Sequence, residues 1–130
     1  MKATYPKTEK LKKQKHIDLL FSEGKSVSKY PLRLVYVALK ENEVTLEFGV
    51  SVSKRYFKKA VDRNYYKRVL RETYRLNKNL LQTNLKQPYA MMFFYQTKER
   101  LNYAEIDGKT KLLFEKFIES INKEEDLNIK

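Results

Sequence analysis

Arg63, Lys67, Arg71 and Arg75 recur at intervals of four. On a helix that spacing raises their side chains along one stripe, with Asn64 and Arg68 beside it. Like charges one turn apart repel by a few tenths of a kcal/mol per pair, so such a row destabilises its own helix unless a polyanion offsets the repulsion. Phosphate suits the task, because a guanidinium fork meets it with two parallel hydrogen bonds. Two readings stay open at this point: a grip on phosphates, or an ordinary solvated basic face.

Other chemistries find less support. The 130 residues include no cysteine and a single histidine, His16, so thiolate metal sites and cysteine nucleophiles are absent, and any His-based triad would have to use that one residue. His16 reads as a surface residue of a first helix. The carboxylates Glu41, Glu43 and Glu47, then Glu99, Glu105 and Asp107, then Glu124, Glu125 and Asp126 lack the spacing of a two-metal site, which argues against a self-sufficient nuclease. No metal site and no catalytic residue is expected in this chain.

Charge sets the partner class. A formal net charge of +12 on one small domain gathers polyanions, nucleic acid before membrane. No apolar run approaches the roughly 18–20 residues that span a bilayer, and residues 1–15 have no apolar core of a secretory signal, so a cytoplasmic location is expected.

The elements that must position the basic row follow in order. Residues 1–10 are basic and polar and are expected to be poorly ordered without a partner. Residues 13–23 suit a short helix with Ile17 and Phe21 one turn apart and Gly24 as its stop. Residues 25–29 suit an edge strand. Residues 32–39 and 44–52 are rich in β-branched and aromatic residues and are expected to pair as a hairpin through the polar turn at 41–43. In the second of these strands Val44, Leu46, Phe48, Val50 and Val52 alternate with Thr45, Glu47, Gly49 and Ser51, giving one buried face and one open face. Lys54, Arg55, Lys58 and Lys59 lead into the basic helix, which is expected to rest on the sheet through Val61, Tyr65, Val69, Leu76 and Leu80 and to fade at 77–84. Residues 89–95 form a continuous apolar run expected to be a central strand buried on both faces. Asn102 with Glu105 resembles a capping box opening a last helix that reaches about Lys123, and residues 124–130 are expected to be a frayed charged tail. The expectation is one α+β domain over 11–123, an α-β sandwich with helices covering a sheet.

Phe48-Gly49-Val50-Ser51-Val52-Ser53-Lys54, then Lys59-Ala60-Val61, then Arg63-Asn64-x-x-Lys67-Arg68-x-x-Arg71-Glu72, resembles the signature of the bacterial ribonuclease P protein family. Leu11-Lys12-Lys13 followed by Ile17, Phe21 and Gly24 is similar to that family's first helix, so the likeness runs from about Lys10 to Ile121. Two positions depart from the pattern. Tyr65 stands where the family's Arg-Asn-Arg motif usually has its second arginine, and Ile17 where an aromatic is common.

The resemblance implies a ribosomal protein S5 domain 2-like fold of order α-β-β-β-α-β-α, with a four-stranded sheet and a left-handed crossover through the basic helix. It implies the small subunit of a ribonucleoprotein endonuclease that removes the 5′ leader of precursor tRNA, with catalysis in the RNA subunit and Mg²⁺ bound mainly by that RNA. It places Lys54, Arg63, Asn64, Lys67, Arg68 and Arg71 against the RNA subunit. Ile17, Phe21, Tyr36 and Ser51 would meet the pre-tRNA leader, although Phe21 and Tyr36 serve equally well as core residues. The competing expectation is a non-catalytic structural RNA-binding protein, such as a ribosomal protein of the same fold.

Overall fold

The computed structural model describes Tyr5, residues 9–41 and residues 44–129, with side chains as far as Glu124. Its elements are α1 (Gln14–Glu23), β1 (Lys25–Lys29), β2 (Leu32–Ala38), β3 (Leu46–Val52), α2 (Ala60–Gln82), β4 (Tyr89–Tyr95) and α3 (Tyr103–Ile129). The element order is the expected one.

The four strands lie in the order β1-β2-β4-β3. β1 and β2 form the hairpin, closed at the cis Tyr30-Pro31 bond. β2 runs antiparallel to β4, while β3 runs parallel to β4. The expected hairpin between 32–39 and 44–52 is therefore absent: β4 fits between those strands. The Leu39 N–H donates to the Pro88 carbonyl and the Tyr89 N–H to the Thr45 carbonyl, so the link between β2 and β3 is tied to the start of β4. A parallel neighbour needs a crossover, and α2 supplies it.

The main core lies between one sheet face and the pair α2 and α3. It holds Leu34 and Tyr36 of β2, Leu46 and Phe48 of β3, Met91 and Phe93 of β4, and Phe114 and Phe117 of α3. From α2 it takes Tyr66, Val69, Leu70, Tyr74 and Leu81. The expected buried face of α2 is thus corrected: Val69 is buried, but Val61 is 71% exposed and Leu76 51% exposed. Aromatic rings decide the rotation, because they bury more area than Val or Leu. Tyr74 stacks on Phe48 at 3.8 Å, and Tyr66 packs between Phe57 at 4.8 Å and Tyr95 at 4.6 Å.

On the other sheet face, α1 covers Val35, Val37, Ala90 and Met92 through Leu19 and Leu20. Gly24 ends α1 for a reason other than left-handed backbone: its φ is −66°, and a Cβ there would meet the Leu20 carbonyl oxygen at 2.1 Å. His16 is not a surface residue. It is 4% exposed, with Nδ1 2.9 Å from Glu47 Oε1 on β3, and this contact seats α1 on the sheet.

Of the N-terminal stretch expected to be poorly ordered, Tyr5, Glu9 and Lys10 are docked, and the remaining residues lie outside those described. Lys10 bridges to Phe48 along the outer edge of β3, and both the Tyr5 hydroxyl and the Leu11 N–H donate to the Phe48 carbonyl. At the other end α3 continues as helix to Ile129, past the expected limit, and Lys25 pairs with Glu124 at 2.9 Å. The capping box forms as expected: the Glu105 N–H donates to Asn102 Oδ1 at 2.9 Å, and the Asn102 N–H donates to Glu105 Oε1 at 3.3 Å.

Candidate nucleic-acid interface

α2 starts beside the end of β3, so the loop at 53–59 and the first turns of the helix share one corner of the molecule. Lys54, Asn64, Arg68 and Arg71 are exposed there, and Lys67 is half-buried. No ion pair among the described residues engages Arg68 or Arg71. The Arg68 guanidinium instead lies 6.0 Å from the centre of the Tyr65 ring. Arg75 continues the stripe but is offset by Glu72, to which both its Nε and Nη2 donate. That bond, and the charge behind it, holds the Glu72 carboxyl below its usual range.

Arg63 differs from its neighbours. It is half-buried, and its Nη1 donates to the carbonyls of Phe57 at 2.9 Å and Lys58 at 2.7 Å. Its guanidinium therefore fixes the loop that carries the basic residues into α2, a task its place in the sequence stripe did not disclose. Asp62, in the first turn where the helix dipole favours a carboxylate, pairs with Arg100 at 3.2 Å, and that hydrogen bond lowers its pKa.

The second region lies on the same sheet face as α1, beyond the Val35 and Met92 side chains that the helix partly covers. Strand register sets Ser28, Arg33, Phe94 and Ser51 in one row across all four strands. The neighbouring row is Ser26, Val35, Met92 and Gly49. Phe94, Met92, Ser51 and Gly49 are half-buried and Arg33 is exposed, so this face has aromatic, small and cationic side chains together. β4 is buried throughout on the main-core face, while on the α1 side Ala90 is buried and Met92 and Phe94 are half-buried, so the expected burial on both faces holds only at the start of the strand. Phe94 was missed because a continuous apolar run does not reveal which of its alternate residues lies open, and Arg33 because its neighbour Phe94 comes from a strand that the sequence did not pair with β2.

Among the four residues expected at the leader, Ser51 is on this face. Ile17 is half-buried on α1 and Phe21, one turn on, is 71% exposed. Tyr36 is not there. It is 5% exposed on the opposite sheet face, 4.8 Å from Phe117 and 6.2 Å from Tyr89. Alternation along β2 puts Val35 and Val37 toward α1, so Tyr36 must face the main core.

The two regions meet at the N-terminal segment. Tyr5 and Arg71 line both a pocket of about 520 Å³ beside α2 and a groove of about 480 Å³ at the edge of β3, where Lys10, Lys12, Gly49 and Met92 also contribute. Among the described residues no group of three or more His, Asp or Glu side chains gathers as a metal site.

A rigid cationic helix edge beside a partly open sheet face is a surface for a polyanion, and comparison with known proteins says which. The family model described as Ribonuclease P matches residues 5–118. This chain belongs to the ribonuclease P protein family. It is a protein subunit of the endoribonuclease ribonucleoprotein that acts in tRNA processing, and its partner there is RNA. The ribonuclease P protein component of Porphyromonas gingivalis strain W83 is 43% identical over 98 residues, covering 73% of this chain and 72% of its own length. That of Clostridium botulinum strain Loch Maree is 34% identical over 104 residues, covering 78% and 87%. The fold matches the ribonuclease P protein of Staphylococcus aureus with a TM-score of 0.68 at 21% identity, covering 84% of this chain and 94% of that one. For the Thermotoga maritima protein the TM-score is 0.65 at 24% identity, covering 82% and 96%. The four-stranded ribonuclease P protein fold is therefore this chain's own.

Proposed function

We propose that the chain clamps the catalytic RNA of ribonuclease P with the basic edge of α2, and holds the 5′ leader of precursor tRNA on the sheet face beside α1. The observation that carries this reading is the exposure of Arg68 and Arg71 with no carboxylate partner among the described residues, next to an open row holding Phe94 and Ser51. Lys54, Asn64 and Lys67 extend the contact with the catalytic RNA, and Arg63 holds the loop that presents them. On the leader side Phe94 and Phe21 offer rings for bases while Arg33 and Lys12 attract the backbone. Stacking with backbone attraction tolerates many sequences, which suits a protein that meets the leaders of many tRNAs.

The bond cleavage belongs to the RNA in this reading. Mg²⁺ is bound mainly by the RNA subunit in this reading, with phosphate oxygens as its donors. There Mg²⁺ supplies activation of the attacking water and charge stabilisation at phosphorus. The work of the protein takes place in the cytoplasm, where tRNA precursors are made.

Reconstitution tests the proposal. The chain is added to the ribonuclease P RNA of the same source at low Mg²⁺, and cleavage of precursor tRNA is followed. Stimulation of leader removal by the full protein, with no cleavage by protein alone, is the expected result. RNA binding without stimulation would instead support a purely structural RNA-binding role, and cleavage by nucleic-acid-free protein would overturn the assignment of chemistry to the RNA.

A further inference from the structure

The pocket of about 520 Å³ beside α2 is built from three elements that the sequence keeps far apart: Tyr5 of the N-terminal segment, Tyr65 of α2 and Tyr103 at the start of α3. Arg68, Arg71 and Arg75 stand at the same pocket. Its volume falls within the range of small-ligand sites. Tyr65 and Tyr103 remain 44% and 38% exposed, so two large rings face solvent at the one place where the cationic stripe is densest. Arg75 is offset by Glu72, which leaves Arg68 and Arg71 as the cations available to a ligand.

We propose that this pocket receives one unpaired nucleotide of the RNA partner, its base laid on the Tyr65 ring and its adjoining phosphates on Arg68 and Arg71. The proposal rests on the reading of α2 as the RNA-facing edge and specifies what that edge does beyond charge neutralisation. A base on Tyr65 brings its sugar-phosphate toward Arg68, whose guanidinium lies 6.0 Å from the ring centre. Arg71 also lines the groove that holds Lys10 and Lys12, so the cationic surface continues from the pocket toward the open sheet face, a path fit for a strand of linked phosphates. A tyrosine at position 65 thus exchanges one more charge for a stacking platform.

The test is salt-dependent binding of the full chain to the ribonuclease P RNA of the same source, with thermal unfolding as the folding control. Tyr65→Ala is expected to weaken binding about tenfold or more while leaving the salt slope unchanged, since a stacked base releases no counterion. Tyr65→Phe, which keeps the ring, is expected to bind within about twofold of the parent. Arg68→Ala is expected to lower the slope by about one. If Tyr65→Ala proves unstable, Tyr103→Ala reads the same pocket from a different helix. Parental affinity in the alanine variant, or an equal loss in Tyr65→Phe, overturns the pocket assignment. An unchanged slope for Arg68→Ala overturns the prior reading of α2, whatever Tyr65 does. Displacement of the RNA by oligoglutamate but not by oligouridylate, lost in Tyr65→Ala, would assign the pocket to an acidic peptide and overturn the nucleotide.

Discussion

Glu9, from the N-terminal segment, reaches Lys78 near the far end of α2, with Oε1 3.0 Å from Nζ and the two side chains 11% and 10% exposed. The Tyr74 hydroxyl donates to the other carboxylate oxygen at 2.9 Å. A carboxylate from the N-terminal segment and two polar groups one turn apart on α2 thus satisfy one another inside the domain, and they fasten that segment to the helix that carries the basic edge. Charge near the Tyr74 hydroxyl adds to burial in pushing its pKa upward, so it remains a donor.

Removing one member of that cluster should cost more than replacing all of it. Glu9→Ala leaves a buried ammonium and a buried hydroxyl without their acceptor, and a loss of about 3–5 kcal/mol is expected in urea unfolding. The triple variant Glu9→Leu, Tyr74→Phe, Lys78→Met removes every polar group and is expected to recover most of that loss. Additive losses across the three positions would show that the groups do not act as a unit.

Arg63 separates holding the loop from meeting phosphate. Arg63→Lys keeps the charge but loses the rigidly placed Nη1 that donates to both the Phe57 and the Lys58 carbonyls. Stability should fall by about 1 kcal/mol while the salt slope of RNA binding stays as it was. A lowered slope with unchanged stability would move Arg63 from the loop to the RNA contact.

Leader contact should follow the sheet face. Phe94→Ala is expected to weaken binding of precursor tRNA by about 1–3 kcal/mol in the holoenzyme, and to leave binding of leaderless tRNA unchanged. Tyr36→Phe keeps the buried ring and should not change the preference for a leader at all. Comparing affinities for the two substrates measures both effects, and a leader defect in Tyr36→Phe would contradict its place in the main core.

Alkaline pH should unfold the domain through its buried tyrosines. Burial pushes the hydroxyls of Tyr5 and Tyr95 up from 10.0 to about 12. The folded state then holds these protons where the unfolded chain has released them, so unfolding is favoured as pH rises above about 10. Their contribution to stability is fully present below pH 10 and is lost as pH rises through about 12. The Tyr95 hydroxyl also donates to the Glu99 carbonyl and accepts from the Leu101 N–H. Thermal unfolding of Tyr95→Phe between pH 10 and 12 should show a shallower decline than the parent protein; an equal decline would remove Tyr95 as a source.

The sequence by itself determined the elements, their order, the capped start of α3 and the row of cations on α2, because helix spacing, strand alternation and capping are local properties. Family membership was equally legible, since the motif joining Ser51-Val52-Ser53-Lys54 to Arg63-Asn64 is contiguous in the chain. Only the tertiary structure decided which strands pair. A run such as Val44 to Val52 alternates in the same way beside β2 or β4, and the choice depends on where α2 returns the chain. The face α2 buries was decided by the stacking of Tyr66 and Tyr74 on distant rings, against which Val61 and Leu76 could not compete. His16, Glu9 and Lys78 carry polar side chains that look like surface residues until a partner far along the chain meets each one. The pocket at Tyr65 is of the same kind: its three rings come together only when the N-terminal segment and α3 both close on α2.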